Sequence, residues 1–298
     1  MTLPRYQHTT SLTFGGLKQD ECTYDGARAV VLPVPLERTT SYVAGTRNGP
    51  REILLASAQM ELWDEETSMS AANLAVFTLP EMELPFGTLE GALDEIRRVA
   101  GEVLDAGKFL IALGGEHSLT IPLVEAVASR HPGLWVLQID AHADLRDAYM
   151  GSRFSHASVM RRVLERAPCT QVAIRSLSEE EARAVPSLPT TMFHDVRMRE
   201  DARWMHRIVE SLGDPVYLTI DCDGFDPAIM PAVGTPEPGG LTWYEALTLV
   251  RKVFAARRVV ACDLVELSPI PGIVAPNFLC ARLIYKLLTY RAMAPSHG

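Results

Sequence analysis

Three short segments hold the side chains best suited to chemistry: Gly114-Gly115-Glu116-His117, Asp140-Ala141-His142-Ala143-Asp144 and Asp221-Cys222-Asp223. Each follows directly on an apolar run, at residues 109–113, 134–139 and 215–220. If the backbone stays extended, side-chain alternation brings Asp140, His142 and Asp144 to one face, and Asp221 and Asp223 likewise, with the Cys222 side chain turned away. An isolated Asp at a strand end is ordinarily a turn former or a helix cap. Four carboxylates crowded together are a different case, because repulsion and desolvation disfavour them unless comparable positive charge sits among them. Two divalent cations would supply that charge. Oxygen-rich ligands with a minority of imidazole suit manganese better than structural zinc, although zinc, cobalt and iron are not excluded by softness alone.

The elements that must position these residues are legible in the hydropathy pattern. Apolar, β-branched runs recur at 28–36, 74–79, 109–113, 134–139, 171–174, 191–193, 215–220 and 258–261, which reads as eight buried strands. Between most of them lie amphipathic stretches of helical length, at 50–61, 88–106, 120–130, 155–166, 178–184, 201–212, 242–256 and 277–290. Ser178 with Glu181, and Thr242 with Glu245, have capping-box spacing. Strand and helix alternate without internal repeats or a Gly/Ser-rich linker, so the expectation is one α/β domain over 1–298, doubly wound on a mainly parallel sheet, with 1–26 as an N-terminal extension. In such sheets chemistry gathers at the carboxyl ends of the strands, where all three segments fall.

Gly-Gly-Glu-His117, Asp140-Ala-His142-Ala-Asp144 and Thr219-Ile-Asp221-Cys-Asp223-Gly-Phe-Asp226-Pro227 together resemble the three signature motifs of the ureohydrolase family, which includes arginases and agmatinases. The likeness runs in order over about residues 27–290. It implies a three-layer α/β/α sandwich around an eight-stranded sheet, two manganese ions per subunit, and cleavage of a guanidinium to urea and an amine. Carried over by position, it gives one metal to His117, Asp140, Asp144 and Asp221, and the second to Asp140, His142, Asp221 and Asp223, with Asp140 and Asp221 bridging. Glu116 departs from the Asp, and Thr219 from the Ser, that many members have; neither is a ligand position.

Two metals about 3.5–4 Å apart can lower the pKa of a shared water and present it as a nucleophile. The guanidinium carbon is a poor electrophile, so the substrate must also be fixed and its leaving nitrogen protonated. Glu266, in Asp263-Leu-Val-Glu266-Leu-Ser-Pro269, matches the family carboxylate that pairs with the guanidinium. His156, in Ser155-His156-Ala-Ser158, matches the histidine proposed to pass a proton to the leaving amine. Asp144 is expected also to accept the nucleophile's proton. Read without the resemblance, Glu266 is a surface or capping acid and His156 a structural residue at a helix start. Asp226 is read as a turn acid, and His8, His131, His194, His206 and His297 carry no ligand spacing. The segment Gly45-Thr-Arg47-Asn-Gly49-Pro50 reads as a structural turn bordering the pocket.

Composition narrows the partners. With 47% hydrophobic and 22% charged residues there is ample material for a core, and a net charge of -9 argues against nucleic acid or an anionic membrane surface. A cationic or neutral ligand fits better, and the resemblance implies a small cationic guanidino substrate. No apolar run is long enough for a membrane helix and the first 18 residues lack a signal pattern, so a cytoplasmic protein is expected. The five scattered cysteines read as reduced, small apolar residues. Family members are commonly trimers or hexamers, so the resemblance implies a homo-oligomer.

For the substrate, the loop Leu145-Arg-Asp-Ala-Tyr149-Met-Gly151-Ser-Arg-Phe-Ser-His156 is similar to the agmatinase pattern and lacks the Asn-rich arginase version. Agmatine, giving putrescine, is therefore the first expectation. N1-aminopropylagmatine, guanidinobutyrate and arginine are the alternatives, and Arg146 or Arg153 could serve an acid-bearing substrate. A deacetylase-like hydrolase would show a tandem His pair, which is absent from the sequence. A non-catalytic metal- or ligand-binding descendant would be expected to have lost a ligand, and none is missing.

Overall fold

The computed structural model describes Pro4, Tyr6, residues 12–18 and residues 23–294. The expectations attached to His8, Cys22, His297 and much of the 1–26 extension lie outside the described residues.

The main sheet has eight strands: β1 Ala29–Val34, β2 Val76–Thr78, β3 Phe109–Gly114, β4 Trp135–Ile139, β5 Cys169–Ile174, β6 Thr190–His194, β7 Val216–Asp221 and β8 Val259–Val265. They lie in the order β2-β1-β3-β8-β7-β4-β5-β6, and every pair is parallel. All eight expected runs form strands. The central ones are buried on both faces, as parallel strands covered by helices must be. Alternation along β3 divides them between two cores: Phe109, Ile111 and Leu113 face one, Leu110 and Ala112 the other.

Helices cover both faces. The first core takes Ile53 from α1 (Gly49–Ser57), Ile208 from α7 (Trp204–Ser211), Phe254 from α8 (Trp243–Ala256) and Ile284 from α9 (Ala275–Met293). The second takes Ile96 from α2 (Leu89–Asp105), Val127 from α3 (Thr120–Ala128) and Met160 from α4 (Val159–Val163). The result is the three-layer α/β/α sandwich. Both capping boxes are present, at Ser178 with Glu181 ahead of α5 (Glu179–Ala184) and at Thr242 with Glu245 ahead of α8.

Three local expectations need correction. The stretch 155–166 forms only a 3-10 turn, His156–Ser158, and the short α4, because Ser158, at φ -125° and ψ 4°, leaves the helical region between them. A further helix, α6 (Asp195–Glu200), follows β6 immediately. A small hairpin, Trp63–Asp64 with Met69–Ser70, packs on α9, where the buried Asp64 carboxylate meets Lys286 Nζ at 2.8 Å. Among the described residues no helix is long and apolar enough to cross a membrane.

The four strands β3, β8, β7 and β4 are consecutive neighbours, and their registers bring their carboxyl ends level. Leu264 pairs with Leu113 and Ile220, Ile139 with Ile220, and Val265 with Asp221. His117, Glu266, Asp221 and Asp140 therefore emerge side by side from one edge.

Candidate metal centre

His117 opens the turn after β3, and the chain reaches it by passing so close to Leu36 that a Cβ on Gly115 would lie 1.9 Å from the Leu36 carbonyl oxygen. Only glycine fits there. His117 Nδ1 then lies 3.2 Å from Asp140 Oδ2, 3.3 Å from Asp144 Oδ2 and 3.2 Å from Asp221 Oδ2. On the other side of the ring, Nε2 is 3.0 Å from Thr219 Oγ1, and Thr219 donates its one hydroxyl proton to Asp263 Oδ1 at 2.6 Å. Nε2 must therefore carry the hydrogen, which leaves a lone pair on Nδ1. That Nδ1 is buried and makes no well-formed hydrogen bond. Atoms each about 2.1 Å from one ion at right angles would lie about 3 Å apart. A buried nitrogen whose lone pair is available in the neutral ring, facing three carboxylate oxygens at that spacing, fits a divalent cation.

A second set adjoins the first. His142 Nδ1 is 2.9 Å from Asp223 Oδ2 and 3.7 Å from Asp140 Oδ1. Asp140 thus turns one oxygen to each imidazole, and the candidate ligand atoms fall into two groups that share it: His117, Asp140 and Asp221, and Asp140, His142 and Asp223. Asp144 joins the first group by its distance to His117. Asp221 is not in the second group, so its bridging role stands on the resemblance.

Asp221 and Asp223 are aimed by a common device, in which one oxygen is tied down and the other left for the site. The Asp223 N–H donates to Asp221 Oδ1 at 2.9 Å, and the Ala141 N–H donates to Asp223 Oδ1 at 3.0 Å. The Gln138 amide donates to Asp140 Oδ2 at 2.6 Å and is itself held by Gln171. Asp263 takes the Thr219, Thr120 and Tyr217 hydroxyls.

Strand alternation is not what brings these groups together. The backbone turns left-handed at Asp144, with φ 53°. β7 ends at Asp221, and Asp223 lies in a 3-10 turn, Cys222–Gly224. Cys222 does face away, with its sulfur 3.5 Å from that of Cys280. The four described cysteines are all free and buried.

Without metal the cluster holds protons instead. Burial first, then Asp223 and Asp144, push Asp140 up to about 7, and burial with Asp223 and Asp140 drives Asp221 well above the usual carboxylate range. Burial opposes charge on His142, but Asp223 outweighs it and raises the imidazole to about 11; Asp140, Asp144 and Asp221 likewise raise His117 against its burial. Burial opposes charge on Asp223 too, yet His142 holds that carboxyl down to about 2. The site is thus built to collect positive charge.

Glu266, just past β8, is also left-handed, at φ 64°. It donates its N–H to the Gly115 carbonyl at 2.8 Å, and its Oε1 accepts the His117 N–H at 2.6 Å. Burial, aided by Glu116 and Asp223 and opposed by His117, pushes its carboxyl up to about 8. Non-glycine residues persist in this conformation only when their surroundings impose it. His156 stands across a cleft of about 290 Å³ whose walls include His117, His142, Asp144 and Glu266. The Tyr149 ring meets the His156 ring edge to face, centroids 5.7 Å apart. Segment 40–43 forms another wall, so the border runs ahead of the Gly45–Pro50 turn.

Other expectations sort cleanly. Asp226 is a turn acid, its Oδ1 accepting the Ala228 N–H at 2.8 Å. Arg146 lines the cleft with its guanidinium over the Tyr149 ring, whereas Arg153 pairs with Asp147 and Glu165 at the surface and is not among the lining residues. The sequence reading missed Gln138, Asp263 and Thr39 as site residues. The first two were signalled as polar residues inside otherwise apolar strands; Thr39 carried no signal.

The Arginase-family model matches residues 27–289. The chain belongs to the arginase family. Members carry two metal ions, and this chain is a guanidino hydrolase acting on amidino C–N bonds. It is 41% identical over 277 residues to the N(1)-aminopropylagmatine ureohydrolase of a Synechocystis species, covering 90% of each chain. It is 37% identical to the N(1)-aminopropylagmatine ureohydrolase of Thermus thermophilus, covering 95% of each. Among solved structures, the agmatine ureohydrolase of Thermoplasma volcanium superposes with a TM-score of 0.84 at 29% identity, covering 93% of this chain and 95% of that one.

Proposed function

We propose that this family member releases urea from N1-aminopropylagmatine, with agmatine as the second substrate to test. The observation that carries the catalytic part is the convergence of two candidate cation-ligand sets and the half-buried Glu266 on one cleft. The order of substrates departs from the sequence reading, which put agmatine first. It is supported by relatives that bear the aminopropylagmatine name at 36–41% identity. A cleft rim containing Ser41, Tyr42 and Thr235 suits a chain of ammonium groups that needs polar contacts and an open end.

In this reading His117, Asp140, Asp144, His142, Asp221 and Asp223 hold two manganese ions, which when bound supply Lewis acidity and an activated water. Glu266 Oε2 faces the substrate while Oε1 stays on the His117 N–H, so the guanidinium is fixed relative to the ligand cluster. The water attacks as hydroxide, and Asp144 takes up its remaining proton as the carbonyl of urea forms. His156 donates a proton to the amine nitrogen as its bond to the guanidino carbon breaks, so that urea and a neutral amine separate. Asp144 and Glu266 reside in left-handed backbone, which directs both carboxylates into the cleft.

Arg146 favours a different substrate, because a cleft cation suits an acid-bearing guanidine such as guanidinobutyrate. The guanidinium lies 4.0 Å from Glu181, whose oxygens are already taken by the Leu145 and Ser178 N–H groups. Urea release measured with manganese on aminopropylagmatine, agmatine, guanidinobutyrate and arginine decides among them. The highest kcat/KM on aminopropylagmatine is expected; a preference for guanidinobutyrate or arginine contradicts the polyamine reading.

A further inference from the structure

The only hydroxyl proton of Thr39 is committed to Glu116. Thr39 Oγ1 donates to Glu116 Oε1 at 2.9 Å, while Glu116 Oε2 takes the Arg38 and Thr39 N–H groups at 2.6 Å each and Oε1 also takes the Ser118 hydroxyl at 2.5 Å. Glu116 is fully buried, so these donors are its solvation. The same Thr39 oxygen accepts the His156 N–H at 3.0 Å and lies 3.2 Å from His156 Nδ1. A hydroxyl has one proton and two lone pairs. With the proton spent on Glu116, both lone pairs face His156, and Nδ1 must be the donor.

We infer that Thr39, backed by Glu116, is a positioning residue that fixes His156 as the Nδ1–H tautomer and leaves Nε2 to exchange protons with the substrate. The inference rests on the reading of His156 as proton donor to the leaving amine. It also gives a physical account of Glu116, which is not among the candidate ligands: its side chain anchors the loop of residues 38–39 beneath the histidine. Tyr149 confines the ring from another side without fixing the tautomer, since an edge-to-face contact does not choose between the two nitrogens.

The test is a double-mutant cycle on the manganese-loaded enzyme, with metal content measured alongside. Thr39→Val keeps the shape and removes the hydroxyl. It should lower kcat about 10- to 100-fold, a part of what general acid catalysis commonly supplies, with KM changed little and two metals retained. Thr39→Ser should return most of the loss. In a His156→Asn background Thr39→Val should cost almost nothing further, which a purely structural role would not produce. An equal loss in both backgrounds, or no loss in either while His156→Asn alone is impaired, overturns the inference. Wild-type kcat in His156→Asn would instead refute the proton-donor reading itself, and the inference with it.

Discussion

The backbone N–H of His117 donates to Glu266 Oε1 across 2.6 Å, although the two residues are 149 positions apart. β3 and β8 are neighbours in the sheet, so this bond joins the end of one to the end of the other. It makes the spacing between the ligand cluster and the proposed guanidinium partner a property of the sheet and independent of any mobile loop. Sites built on strand ends hold their geometry better than sites built on loops.

Glu266→Gln separates recognition from metal binding. The amide keeps an oxygen for the His117 N–H but loses the charge that pairs with the guanidinium. We expect kcat/KM to fall about 10- to 100-fold, the worth of a charge-assisted contact, with the metal content unchanged. Urea kinetics and metal analysis on the same preparation check it; metal loss would show that Glu266 acts on the ligand cluster.

Thr219 sets the His117 tautomer and at the same time holds Asp263. In Thr219→Val the buried Nε2–H and Asp263 Oδ1 both lose a partner. Metal affinity should drop roughly 10- to 100-fold, and unfolding should cost about 1–3 kcal/mol less for the orphaned polar groups. Thr219→Ser should keep both properties. Metal titration and denaturant unfolding of the two variants provide the check.

The pH dependence follows from the raised groups. Asp140 at about 7 and His142 at about 11 bind protons more tightly in the folded, metal-free chain than when unfolded. Their stabilising contribution is complete at low pH and is lost as pH rises through those values, over about 4–7 for Asp140 and 6.5–11 for His142. Asp223, at about 2, acts in the opposite sense, its contribution being present above the ordinary carboxylate range and lost on acidification toward pH 2. Between pH 6 and 8 the metal-free protein should therefore lose stability. A difference of one proton over those two units is about 3 kcal/mol, several degrees in Tm. Manganese replaces the protons, so its stabilisation should be larger at pH 8 than at pH 6. Thermal melts with manganese and with chelator at both values test this; a larger metal effect at pH 6 would contradict it.

Much of this was readable before any coordinates. Apolar runs of parallel-sheet strands are conspicuous because both faces are buried, so all eight strands were legible, as was the placement of His117, Asp140 and Asp221 at their ends. What stayed hidden was non-local or conformational. The left-handed turn at Asp144 and the 3-10 turn after Asp221 bring candidate ligands together by a route that side-chain alternation does not describe. Thr39 meets His156 across 117 positions, and nothing in the local sequence of either announces the other. The 63–70 hairpin is tied to α9 by Lys286 on Asp64, a distant contact that no local strand pattern announces.

The central claim is that this crowd of carboxylates and imidazoles exists to hold two cations. Metal content after saturation with manganese and removal of excess, compared between the unaltered protein and Asp223→Asn, tests it most directly. The account predicts two ions per chain in the first and about one in the second, with cooperative unfolding retained in both. No tightly held manganese in the unaltered protein, or an unchanged count in Asp223→Asn, would contradict it.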